Sequence, residues 1–126
     1  MKVLCRKIIS PSGKNLGENS PWLKLGNEYI VLAIMLVENT GMQIYIQTED
    51  HDEPHFFNLA GFEFINRIIP SLWVTRITEA NGRKVITMLP ASWDYDNFFE
   101  DMENQNLKAI ELFNKEVEQM YREDKL

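Results

Sequence analysis

Leu72-Trp73-Val74-Thr75-Arg76-Ile77-Thr78-Glu79-Ala80-Asn81-Gly82-Arg83-Lys84-Val85-Ile86-Thr87-Met88-Leu89 places an Asn-Gly pair between two runs rich in β-branched residues. Asn-Gly suits a two-residue type I′ turn, whose backbone twist matches that of the strands it joins. With Asn81 and Gly82 as the loop, Glu79 falls opposite Lys84, Ile77 opposite Ile86 and Thr75 opposite Met88. Opposite charges meet and apolar side chains meet, so a single register satisfies every pair. The stretch predicts an antiparallel hairpin and makes the fold sheet-based.

Upstream, residues 2–9 read as a strand with Val3, Cys5 and Lys7 on one face and Leu4, Arg6 and Ile8 on the other. Ser10 to Pro21 is rich in Pro, Gly, Ser and Asn, the chemistry of a long connection. Tyr29–Val37 is a nine-residue aliphatic run that reads as one central strand covered on both faces. Asn39-Thr40-Gly41 turns the chain into 42–48, where Met42, Ile44 and Ile46 alternate with Gln43, Tyr45 and Gln47. Period-two alternation predicts one core face and one polar face that is wet or partner-facing. Phe56-Phe57 and Phe62–Ile69 read as short strands broken by Ala60-Gly61.

Downstream, Pro90 stops the hairpin, and Ser92, Asp94 and Asp96 are candidate caps for a short helix through Asp101. A final helix is predicted from Gln105 to Arg122. Leu107, Ile110, Phe113, Val117 and Met120 recur at its three- and four-residue spacing, and Glu111/Lys115 and Glu118/Arg122 are acid-before-base pairs. The expected fold is therefore α+β. A twisted antiparallel sheet of five or six strands, able to curl into an SH3-like half-barrel, carries C-terminal helices. Residues 1–126 read as a single domain, mainly β over 1–90 with helical cover over 91–126.

Composition narrows the functional classes. Apolar residues make up 44% and charged residues 25% of the chain, an ordinary globular balance. Nineteen acids against thirteen bases give a net charge of −6, which disfavours nucleic-acid binding and suits a basic protein partner. A lone cysteine, Cys5, forms no internal disulfide and reads as a small buried hydrophobe in a reducing compartment. The N-terminal ten residues lack a signal-peptide core, and no apolar run approaches the roughly 20 residues of a membrane span. The expected location is cytoplasmic.

The densest cluster of chemistry is Glu49-Asp50-His51-Asp52-Glu53-Pro54-His55. Its histidines are four apart, but Pro54 argues against the helix that would bring both rings to one face. A zinc-protease motif needs Glu directly after the first His, where Asp52 stands, and a calcium loop needs a Gly that is missing. A solvated acidic turn, available to a basic partner, is the better reading. The remaining carboxylates, Asp94, Asp96, Glu100, Asp101 and Glu103, read as helix caps and first-turn acids. Nucleophile elbows, phosphate loops and dinucleotide fingerprints are missing. Trp22, Trp73 and Trp93 each stand at an element edge and read as core plugs with the indole N–H near water. The residues predict no catalytic group, no bound metal and no cofactor.

Ser20-Pro21-Trp22-Leu23-Lys24-Leu25-Gly26-Asn27-Glu28-Tyr29-Ile30-Val31-Leu32, followed by Ile69-Pro70-Ser71-Leu72-Trp73-Val74, resembles small bacterial immunity proteins of contact-dependent inhibition and polymorphic-toxin systems. The likeness covers about residues 20–93 and rests on structural motifs. Its Leu23–Val31 portion also resembles the first strand of SH3-like barrels, which host many functions. The first resemblance implies noncatalytic binding of one cognate cytoplasm-acting toxin, such as a basic nuclease. It transfers no contact residue, because such proteins vary most where they touch their toxins. The contacts expected from the chain's own residues are Glu49, Asp50, Asp52 and Glu53 in the acidic loop, with Tyr45 and Gln47 on the polar strand face. An SH3-like interaction module in a housekeeping assembly is the second expectation, and a metal-dependent hydrolase using His51 and His55 the third.

Overall fold

In the computed structural model, Asn81 and Gly82 take φ of 53° and 76°, the left-handed pair that a type I′ turn requires. Residues 1–10, 13–17, 22–48 and 53–124 are described. Among them the strands are Lys2–Cys5 (β1), Glu28–Ile30 (β2), Ala33–Val37 (β3), Gly41–Ile46 (β4), His55–Asn58 (β5), Phe62–Asn66 (β6), Trp73–Ala80 (β7) and Arg83–Pro90 (β8). Helices Phe98–Glu103 (α1) and Leu107–Asp124 (α2) follow. The hairpin pairs as expected: Glu79 with Lys84, Ile77 with Ile86 and Thr75 with Met88.

The fold is α+β, with its strands divided between two antiparallel sheets. One has the order β2-β1-β6, the other β5-β4-β3-β8-β7. The run expected as one central strand supplies both: β2 belongs to the small sheet and β3 to the large one. The handover falls at Val31 and Leu32, both buried. The Val31 N–H donates to the Met1 carbonyl at 3.0 Å, whereas the Leu32 N–H donates to the Tyr45 carbonyl at 2.8 Å. Extended chain thus continues while its hydrogen-bond partner changes, the usual device for turning a corner between sheets.

The expected strand 2–9 also ends early, at Cys5. Arg6 and Lys7 both donate their N–H to the Gly61 carbonyl at 2.9 Å. Two successive donors on one acceptor form a bulge, which shifts the side-chain alternation by one residue. Arg6 and Lys7 are consequently both exposed, and Ile8 returns to the core beside Val3 and Cys5. Cys5 is buried, as read from the sequence.

The large sheet has a core on each face. Toward the small sheet, Ile34, Ile44 and Ile46 pack with Val3, Cys5, Ile8, Tyr29 and Val31. Toward the helices, Ala33, Tyr45 and Leu89 pack with Trp93, Phe98, Met102, Phe113 and Met120. The buried face of α2 is Ala109, Phe113, Val117 and Met120, at helical spacing. Leu107, expected on that face, is instead 83% exposed. Its turn is the first of the helix, capped by Asn106, whose side-chain oxygen accepts from the Lys108 and Ala109 N–H groups. The Glu118–Arg122 ion pair forms at 2.5 Å.

The expected caps of α1 have other partners. Asn97 is its N-cap position and makes no side-chain capping bond. Asp94 and Asp96 instead receive the Arg76 guanidinium, tying β7 to the segment before α1. Ser92 donates to Glu116 on α2 at 2.9 Å. These residues cross-link elements rather than start a helix, because Ala91–Trp93 forms a 3-10 turn first. Among the described residues, no helix is long and apolar enough to cross a membrane.

Candidate functional site

Glu49, Asp50 and Asp52 of the expected contact loop, with His51, lie outside the described residues. Glu53 is exposed and accepts from the Gln105 side chain at 2.8 Å, which ties the end of that loop to the connection before α2. Gln47 is half-buried just beyond β4. Tyr45 does not belong to a polar strand face. It is 4% exposed, with its ring against Phe56, Phe99, Trp93 and Phe113. Alternation along β4 is real, but the helices cover the face that was read as polar.

Tyr45 and Glu53 do meet, at a small cavity of about 60 Å³ shared with Phe99 and Glu103. Burial pushes the Tyr45 hydroxyl well above the ordinary phenol range, and the Glu103 and Glu53 carboxylates push in the same direction. The folded state therefore keeps a proton that the unfolded chain releases near pH 10. The associated stability is full below about pH 10 and declines as pH rises further. In an alkaline titration followed by phenolate absorbance, Tyr45→Phe should leave the rise before unfolding unchanged and reduce the unfolding step alone. A smaller early rise would mean that the Tyr45 hydroxyl ionises in the folded protein.

A larger uncovered surface than this cavity lies at the end of the large sheet that carries the turns 38–41 and 81–82. On the helix side, α1 and α2 cover the row through Tyr45 and Leu89 and stop short of the rows beyond it. This leaves an open groove of about 900 Å³. Met35, Val37, Val85 and Phe99 line it with apolar atoms, while Arg76, Arg83, Asp96 and Glu100 supply charge.

On the opposite face, the small sheet covers Ile34 and Ile44 but leaves the next row open. Met42 pairs with Leu36, Leu36 with Ile86 and Ile86 with Ile77, so four apolar side chains stand side by side across β4, β3, β8 and β7. Their exposures are 44%, 38%, 37% and 71% in that order. Together they present on the order of 400 Å² of apolar surface, a patch size that on a monomer often marks a functional contact. Beyond this row come Glu38, Lys84 and Glu79, a charged rim around an apolar centre.

Backbone pairing makes this end rigid. Glu38 N–H donates to the Lys84 carbonyl at 2.9 Å, and the Arg83 guanidinium donates to Thr40 Oγ1 at 2.8 Å, joining the two turns. Sequence reasoning named Met42, Ile77 and Ile86 as inward or paired apolar positions. Period-two alternation marks a face without saying whether another layer reaches it.

A further pocket of about 300 Å³ lies beside β5, lined by Ile8, Leu16, Trp22, His55 and Phe57. The Trp22 and His55 rings meet edge-on at 4.7 Å. Trp22 is half-exposed, as an edge plug would be, but Trp93 is fully buried and its indole N–H donates to the Leu112 carbonyl at 3.2 Å, away from water. Among the described residues, no three His, Cys, Asp or Glu side chains converge as metal ligands. The chemistry this arrangement offers is recognition by shape, apolar contact and charge. No family model, curated protein or solved structure matches the chain.

Proposed function

We propose that this chain is a noncatalytic binding protein of the immunity type, which holds and neutralises one basic, cytoplasm-acting toxin. The observation that carries the binding reading is the uncovered sheet end, apolar on both faces and rigidly paired. In water an apolar row of this size is a standing cost that a partner removes on docking. The toxin as partner rests on the resemblance of residues 20–32 and 69–74 and on the net charge of −6. Contact and steering then divide between two regions. Leu36, Met42, Ile77 and Ile86 make the apolar contact, and Glu49, Asp50, Asp52 and Glu53 attract the partner from a distance.

The test is co-expression with the product of the adjacent gene, followed by affinity measurement. Leu36→Lys and Met42→Lys should each weaken binding about tenfold or more, chiefly through faster dissociation, while the exposed positions leave folding intact. Charge reversal of the acidic loop should slow association and flatten its salt dependence. Unchanged affinity in both lysine variants would remove the sheet end from the interface. A partner that binds through this surface yet is harmless when expressed alone would favour the SH3-like housekeeping module instead.

A further inference from the structure

We propose that β7 is also a self-association edge, pairing antiparallel with β7 of a second copy of this chain about a two-fold axis at Ile77. The strand ends the sheet order β5-β4-β3-β8-β7 and runs for eight residues. Its two-residue turn makes Ala80 and Arg83 a hydrogen-bonded pair, so by alternation Thr78, Arg76 and Val74 also bond to β8. Thr75, Ile77 and Glu79 therefore point their N–H and C=O groups away from β8, toward the open edge. Pro90 agrees with this phase. It faces Trp73, a position whose missing N–H interrupts no bond to β7.

The side chains select the axis. With the two-fold at Ile77, isoleucine meets isoleucine, the Thr75 hydroxyl meets the second copy's Glu79 carboxylate, and Arg76 meets Thr78. Like charges face each other nowhere. The same arrangement uses Thr75, Ile77 and Glu79 in reciprocal hydrogen bonds, while the Trp73 N–H already donates to the Pro70 carbonyl at 3.1 Å. An axis at Arg76 would oppose two guanidinium groups, and one at Thr78 would set Ile77 against a carboxylate. The edge also lacks the lysines and prolines that commonly block such pairing; its residues are Trp73, Val74, Thr75, Arg76, Ile77, Thr78, Glu79 and Ala80. Strand pairing alone covers far less than the roughly 800 Å² per partner of a stable complex, so the dimer is weak and concentration-dependent. It joins two groove-bearing sheets edge to edge, takes Ile77 into the axis, and leaves Leu36, Met42 and Ile86 of each copy free for a partner. It therefore stands or falls separately from the proposed function.

Sedimentation of the full chain alone over a wide concentration range should show a reversible monomer–dimer equilibrium. Ile77→Pro removes an outward N–H while sparing the β8 ladder, and should leave a folded monomer. Ile77→Lys sets like charges together on the axis and should do the same by another route, should proline disturb the strand. Register is read by cross-linking. Ile77→Cys places two thiols on the axis with Cα atoms about 5.5 Å apart, within disulfide reach, so it should oxidise to a covalent dimer. Thr75→Cys, which faces Glu79, should not. A monomer at every concentration overturns the proposal, as does a dimer that survives Ile77→Lys. A dimer split by Leu36→Lys and untouched at Ile77 also overturns it, since it would lie on the sheet face.

Discussion

A Trp93→Ala variant is expected to lose about 4 kcal/mol of folding stability, within the range measured for deleting large buried aromatics. Trp93 is fully buried and stacks on Phe98 at 4.8 Å and on Phe113 at 5.4 Å, with Tyr45 edge-on at 6.5 Å. It is the point where the large sheet, the segment before α1 and helix α2 touch one ring system. Deletion leaves a cavity bordered by rigid rings on several elements, so little can relax into it. Trp93→Phe separates the contributions. It keeps most of the stacking and loses the N–H bond to the Leu112 carbonyl, and should cost roughly 1–2 kcal/mol plus some packing. Chemical denaturation followed by near-ultraviolet circular dichroism checks both. A Trp93→Ala loss under about 1 kcal/mol would mean that the helices do not depend on this contact.

Gly61→Ala is the second large effect, expected at about 3 kcal/mol although it adds a single methyl group. The added carbon would overlap the Lys7 carbonyl oxygen, with the carbonyl carbon at 3.1 Å and Ile9 Cγ1 at 3.2 Å. The obstacle is backbone, held by the two bonds that Arg6 and Lys7 donate to Gly61 itself. Relief therefore means opening the bulge that returns Ile8 to the core. For a domain of this size the loss corresponds to a fall in Tm of roughly 10 °C. Gly82→Ala is the control. Its φ of 76° is costly for alanine but the space around it is open, so about 1 kcal/mol is expected. Equal Tm shifts for the two substitutions would mean that close approach at Gly61 is not what limits it.

Both variants act on features that differ in how visible they are from the chain alone. Ala60-Gly61 was readable as a break between two strands, but its near contact with Lys7 joins residues far apart in sequence. Trp93 was readable as a buried plug. The helix carbonyl that receives its N–H was not, because Leu112 arrives only when α2 folds back onto the sheet.

The local part of this protein is legible in the chain alone. The hairpin 72–89 came out in its observed register, because turn chemistry and cross-strand pairing act over a few residues. The apolar face of α2 was read to within a turn from its 3.6-residue period, and the α+β class followed. Tertiary structure alone decided which faces are covered. Tyr45 is core because helices arrive over it, whereas Met42, Leu36, Ile86 and Ile77 are exposed because neither the small sheet nor the helices extend that far. Likewise Tyr29–Val37 is one apolar run in sequence and belongs to two strands in space, since Val31 and Leu32 change hydrogen-bond partners at a corner. Alternation records that a side chain is apolar and which way it points. Burial depends on a second layer contributed by distant residues, and that is why the candidate binding surface came into view only in the folded chain.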